Sequence, residues 1–376
     1  MIEFLALEEA NLLHARRVSR RHGWWGRVTS AMQGLRSLYQ YQGRGAEWAR
    51  LVDEIVPDYC TADDAPISGR EDGYGVVMEY RVRLARNQDR DLDRAAALQD
   101  KLVILHREQA AAALALPEDA PLDAIQRNRI RTLGVSVFAL GQILSEQNSG
   151  DCVKAYQESL LIDQRLCDTA GEAITHYNLG HAYMQIPAIR NLDAAEAAYQ
   201  NALKLYALTD NLNQSGAIKQ IGMVQHERFN EARRRNEPEE ILLKHVQAAE
   251  THYLQALALC PANAITDLGP LHNQLGSLYA EVGQTERARE HFEQDVQICE
   301  QTGDRYGAGQ TRYNIALMYL QSANAEDNPT QRQNLLLRAK AYAEAALRDY
   351  QSYQGRAATD EADAQQLIAA IEQALA

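Results

Sequence analysis

Five dipeptides set the chain's architecture: Leu140-Gly141, Leu179-Gly180, Ile221-Gly222, Leu275-Gly276 and Ile315-Ala316. Their second residues, 141, 180, 222, 276 and 316, are 39, 42, 54 and 40 residues apart. A large residue follows at i+3 in four of them, Leu144, Tyr183, Tyr279 and Tyr319. Each is followed by another segment with a small–aromatic–small pattern at i, i+4, i+7. It reads Cys152/Tyr156/Ser159, Ala195/Tyr199/Ala202, Ala249/Tyr253/Ala256 and Ala288/Phe292/Asp295, and in the fifth unit Ala339/Ala343/Ala346, without its aromatic. Spacings of three, four and seven put these groups on one face of a helix. A small residue on the first helix admits a close neighbour, and a ring on the second fills the gap. A hairpin with such faces cannot bury them alone, so the units must stack.

Residues 121–350 are therefore expected to form five helix hairpins. Residues 1–120 are expected to form a degenerate helical-repeat region, with Leu35, Tyr39, Trp48, Val52 and Ile55 in equivalent slots and another hairpin across Tyr80–Leu84 and Ala95–Leu105. Residues 351–376 are expected to hold a C-terminal capping helix, carrying Ile368 and Ile371. Asp58–Asp72 and Leu116–Leu122, rich in Pro, Gly and acids, read as loops. Gly and Pro together make up only 31 of 376 residues, which argues against an all-β chain. The expectation is about sixteen helices and no strand.

The pattern resembles the tetratricopeptide repeat (TPR), a helix–turn–helix of about 34 residues. The fourth unit, with Gly276 and Ala288 twelve positions apart, fits that spacing best. The early tryptophan of the repeat is missing from every unit, and only Pro261 stands at a terminal-proline position. The resemblance implies an all-α, right-handed superhelical solenoid of antiparallel hairpins.

A narrower resemblance is carried by Ala6-Leu7-Glu8-Glu9-Ala10-Asn11-Leu12-Leu13, by Gly69-Arg70-Glu71 before Glu79-Tyr80-Arg81, by Asn178-Leu179-Gly180-His181-Ala182-Tyr183, and by Asp304-Arg305-Tyr306-Gly307-Ala308-Gly309-Gln310-Thr311-Arg312. These look like the C-terminal TPR array of bacterial STAND signalling proteins with NB-ARC-type ATPase and CHAT protease-like modules. The resemblance implies a sensor or scaffold whose partner is an upstream ATPase or effector subunit. The chain carries no G-x-x-x-x-G-K-[ST] phosphate loop of its own.

Chemistry-bearing motifs are sparse. His176 and His181 diverge by about 140° around a helix, which is poor geometry for a shared metal. Gly73-Tyr74-Gly75 lacks the strand and third glycine of a dinucleotide loop and reads as a helix start. Five cysteines with no C-x-x-C spacing read as free thiols in a reducing cytoplasm. No catalytic residue, metal or cofactor is expected. The net charge of -13 opposes nucleic-acid and anionic-membrane partners. Residues 1–36 run against that trend, with six Arg and three Glu around Trp24 and Trp25. Three readings stay open for them: a solvated helix face with core tryptophans, a docking face, or a nucleic-acid patch. Arg233-Arg234-Arg235 followed by Glu237, Glu239 and Glu240 reads as an extended, exposed hairpin.

In TPR proteins the first helices line the concave groove. The residues beside each small-residue position are Phe138 and Gln142; Tyr177, Asn178 and His181; Lys219 and Gln220; Asn273, Gln274 and Ser277; Tyr313 and Asn314. This row of amides and phenols suits an extended peptide held along its main chain. Lys219 is its only base, so an acidic C-terminal tail is a poor match. The expected function is non-catalytic binding of a peptide or protein partner. The alternative is a stand-alone bacterial TPR regulator responding to a short signalling peptide.

Overall fold

The computed structural model describes residues 8–118, 120–207, 209–353 and 356–376. Ala6 and Leu7, which open the narrower resemblance, lie outside them. Among the described residues there are sixteen α-helices and no strand; one isolated bridge pairs Cys60 with Pro66. The chain folds as an all-α helical-repeat solenoid and divides into two compact units, Met1–Arg190 and Asn191–Ala376.

The first unit contains α1 (Glu9–His22), α2 (Trp25–Tyr41), α3 (Gly45–Tyr59), α4 (Glu71–Leu84), α5 (Leu92–Leu114), α6 (Ala124–Glu146), α7 (Cys152–Leu166) and α8 (Thr169–Gln185). A π turn, Ala85–Asp89, extends α4. Leu35, Tyr39, Trp48, Val52 and Ile55 are all buried in one core, with Tyr59, Tyr74 and Tyr80. The loop after α3 is tied down by Tyr74, whose hydroxyl donates to the Asp64 carbonyl at 2.8 Å. Gly73 stands in the first turn of α4, where a Cβ would fall 2.1 Å from the Tyr59 ring, which accounts for the glycine at 73 by packing. Arg165 of α7 donates to the Ala113, Leu114 and Leu116 carbonyls, closing the C-terminal end of α5.

Two arginines of the basic N-terminal run are consumed within the fold, while Arg17, Arg21 and Arg27 are exposed. Buried Arg16 donates to Glu54 at 2.7 Å and to the Leu51 carbonyl, and Arg20 donates to Asp58 at 2.6 Å. The two tryptophans differ. Trp25 packs edge-on against Tyr59, whereas Trp24 is 46% exposed, stacked on His22, and so is not a core residue.

The second unit contains α9 (Leu192–Leu205), α10 (Asn211–Arg234), α11 (Glu239–Leu259), α12 (Ile265–Glu281), α13 (Thr285–Thr302), α14 (Arg305–Asn324), α15 (Pro329–Gln351) and α16 (Ala358–Leu375). The pairs α10–α11, α12–α13 and α14–α15 are antiparallel hairpins, and α16 closes the last by burying Leu367 and Ile371 against it. Helix starts are written locally. Asp91, Asp123, Asp168, Asn191, Asp210, Asp304 and Asn328 each accept backbone N–H groups of the first turn, satisfying donors that the helix itself leaves open. The charged stretch 233–240 joins two long helices; Arg235 pairs with Glu231 and Glu237, and Phe229 and Ala232 are buried just before the turn.

The small-to-large pairing expected from the sequence is present where both partners lie in one unit. A Cβ on Gly141 would fall 2.7 Å from Tyr156, on Gly222 2.8 Å from Tyr253, and on Gly276 2.6 Å from Phe292. A second row of small residues stands seven positions earlier. Gly134 faces Ile162, Gly269 faces Asp295, and Ser215 donates to the Ala256 carbonyl at 2.7 Å. In the fifth hairpin the ring comes from Tyr350, which lies against Gly309, a member of this second row. Two turns of contact per hairpin, rather than one, hold each pair.

Candidate peptide-binding cavity

The second unit encloses a cavity of about 750 Å³ between the N-terminal half of α12, the C-terminal half of α13 and the first half of α14. Tyr350 and Asp360 close its far side. Asn273, Gln274, Tyr313 and Asn314 converge on it. Pro270, in the first half of α12, lines it as well.

At its base lies Asp295, 4% exposed and directly beneath Gly269. Thr311 Oγ1 donates to its Oδ2, as does Asn273 Nδ2 at 3.0 Å, and Cys299 Sγ stands 3.8 Å from Oδ1. Burial pushes the Asp295 carboxyl upward, against the lowering effect of these donors. Burial and the neighbouring Asp295 and Asp304 push the Cys299 thiol up to about 12, which opposes thiolate formation. Asn273 also donates to Thr311 Oγ1 at 2.8 Å. Its amide therefore ties α12 to α13 and α14, a structural duty that spacing alone does not reveal. Asn314 differs: its side-chain amide makes no hydrogen bond to another described residue. Gln274 Oε1 accepts from Tyr253 at 3.4 Å.

The lining holds three carboxylates, Asp295, Asp304 and Asp360, and no Lys, Arg or His. Asp304 is occupied in capping α14 through the Gly307 N–H, and Asp360 accepts from Tyr306 at 3.1 Å. An acidic ligand would face uncompensated repulsion here. Neutral amide donors and acceptors, or a cationic group, would not.

The remaining members of the predicted row lie elsewhere. Half-buried Phe138 and Gln142 line a separate cavity of about 410 Å³ in the first unit, with Glu79, Arg83, Arg86 and Gln99. Tyr177 and His181 form an edge-to-face pair at 4.7 Å on α8, and Asn178 donates back to its own Ile174 carbonyl at 2.8 Å. Lys219, Gln220 and Ser277 do not line the α12–α14 cavity. Gln220 is buried, and burial pulls the Lys219 ammonium downward, partly offset by Asp267. Among the described residues no group of three or more His, Cys, Asp or Glu side chains is placed to hold a metal, and no helix is long and apolar enough to cross a membrane.

No family model matches the chain, and no curated protein matches it. Solved structures do. BtubC (BKLC) from P. vanneervenii is 19% identical, with 70% of this chain and 93% of that one aligned at a TM-score of 0.52. The apo form of the quorum sensor NprR from B. thuringiensis is 9% identical, with 99% and 97% aligned at a TM-score of 0.48. At such identities the likeness is one of fold. The class is that of helical-repeat solenoids built from TPR-like hairpins.

Proposed function

We propose that the chain is a non-catalytic interaction module that holds an extended segment of a peptide or protein in the α12–α14 cavity. The observation that carries this reading is the convergence of Gln274, Tyr313 and Asn314 on one 750 Å³ space whose lining has no basic residue. An unpaired amide such as Asn314 can both donate to and accept from a peptide backbone, and Tyr313 offers a flat apolar wall with a hydroxyl tip. The space is large enough for several residues of a bound chain. Asn273 and Asp295 hold the three helices in register rather than touching the ligand.

The sequence resemblance of 304–312 and of the N-terminal segment to STAND arrays supports a partner that is a signalling ATPase or a protease-like effector. The stand-alone, peptide-responsive regulator shares the same site and differs only in what delivers the segment.

Position-specific photo-crosslinking tests the site. A benzophenone amino acid replacing Asn314 should form an adduct with the partner, with the cross-linked peptide identified by mass spectrometry. The same probe at Arg332, exposed on α15, should not. Adducts at 332 and none at 314 would move the interface away from the cavity.

A further inference from the structure

The first unit holds a second cavity, of about 550 Å³, with the opposite electrostatics. It lies between α2, the start of α3 and the α4–π turn, and no Asp or Glu lines it. Two guanidinium groups do, those of Arg36 on α2 and Arg83 on α4. Their neighbours along the chain are matched to acids: Arg81 to Asp64 at 2.6 Å, and Arg86 to both oxygens of Glu146. Arg36 and Arg83 have no carboxylate partner among the described residues. Arg36 is half-buried, and its Nε is shielded from solvent with no hydrogen-bond partner, its one neighbour of note being the Tyr80 ring at 5.8 Å. Withdrawing a guanidinium N–H from water without a partner costs free energy that an anion would return.

The rest of the lining suits the same occupant. Asn87 and Gln88 supply amide donors from the π turn. Gly45 and Ala46 open α3, a helix of 15 residues whose N-cap residue, Arg44, offers no side-chain acceptor. Glycine at 45 is what lets Gln88 approach; a Cβ there would stand 3.2 Å from its Oε1. Trp48, packed edge-on against Tyr80 at 5.0 Å, provides an aromatic floor. Glu9 and Glu47, the acids around the start of α3, are both held by Arg44 and neither lines the cavity. Glu79 lines the adjoining cavity, which shares Arg83 and Asn87.

We infer that this cavity is a binding site for a small oxyanion, a carboxylate or a phosphate ester, carried on a flat apolar group. The oxyanion sits between the Arg36 and Arg83 forks, which match the planar geometry of such groups, and the apolar body lies over Trp48. The volume accommodates a ligand of that size. This site is independent of the α12–α14 cavity.

Isothermal titration of the full chain with benzoate, phenyl phosphate, inorganic phosphate and the neutral benzyl alcohol tests it. Benzoate or phenyl phosphate should bind saturably, more tightly than inorganic phosphate, with benzyl alcohol silent. Preference for one of the two distinguishes a carboxylate ligand from a phosphorylated one. Arg83→Gln, at an exposed position that leaves the core untouched, should weaken binding at least about tenfold, and Arg36→Gln should do the same if circular dichroism shows it folded. Saturable binding of none of the probes, or equal affinity in Arg83→Gln, would overturn the assignment.

Discussion

Phe292 lies flat across Gly276, so close that a Cβ on the glycine would sit 2.6 Å from Cδ1 of the ring. The hairpins α6–α7, α10–α11, α12–α13 and α14–α15 each carry such an approach of backbone to ring. Gly276→Ala should therefore destabilise the second unit by roughly 1–3 kcal/mol through overpacking, more than the ~1 kcal/mol that alanine returns in helix propensity. Phe292→Ala should cost ~3–5 kcal/mol. Gly26 is the internal control: it lies in α2 with nothing within 4 Å of its Cβ position, so Gly26→Ala should leave the melting temperature unchanged or raised. Thermal denaturation followed by circular dichroism distinguishes the three.

Asp163, on α7, gives a pH-dependent prediction in the first unit. Burial and the nearby Asp168 raise its carboxyl to about 6, while Thr175 donates to it at 3.4 Å. A carboxyl raised in the folded state favours folding below its unfolded value near 3.8, and that contribution is lost as pH rises through about 6. Asp163→Asn keeps an acceptor for Thr175 and removes the charge. It should stabilise by on the order of 1–2 kcal/mol at pH 7, with the gain vanishing near pH 4. Melting curves of both proteins across that range measure the difference directly.

The histidines of the second unit work in the opposite sense. His272 and His291 face each other with their Nδ1 atoms 3.0 Å apart. Burial lowers both, and His272 and Arg287 help bring His291 down to about 4. Asp295 acts against this on His272. A base whose folded value is lowered contributes stability above its unfolded value near 6.5, and loses it as pH falls toward 4. Acidification from pH 7 to 4.5 should lower the melting temperature of the second unit. His291→Gln should flatten that dependence; an unchanged slope would mean that the pair does not couple protonation to folding.

Much of this architecture is legible in the chain. The rows Gly141/Tyr156, Gly222/Tyr253 and Gly276/Phe292 give helix pairing at once, because a close approach needs a small residue at a fixed period. The second row, Gly134, Ser215, Gly269 and Gly309, carries the same signal seven residues earlier and is easy to overlook, since its partners Ile162, Ala256, Asp295 and Tyr350 share no residue type. Tyr350 in particular stands seven residues, two helical turns, beyond Ala343, the slot where the fifth ring is expected. The candidate cavity is half legible. Gln274 and Asn314 emerge from their place beside the small residues, but the engagement of Asn273 with Asp295 and Thr311 joins three helices and has no local signature. The pairing of Arg36 with Arg83 is less visible still, because it arises only when α2 and α4 meet.

The role of the α12–α14 cavity is tested most directly by comparing wild type with a Gln274→Ala/Asn314→Ala double variant. Each amide–peptide hydrogen bond contributes ~0.5–1.5 kcal/mol, so both are removed together. The partner segment mapped by cross-linking, synthesised as a peptide, would be titrated into each protein by calorimetry. The account predicts affinity reduced by about tenfold or more at an unchanged melting temperature. Equal affinity in the double variant, with the fold intact, would contradict it.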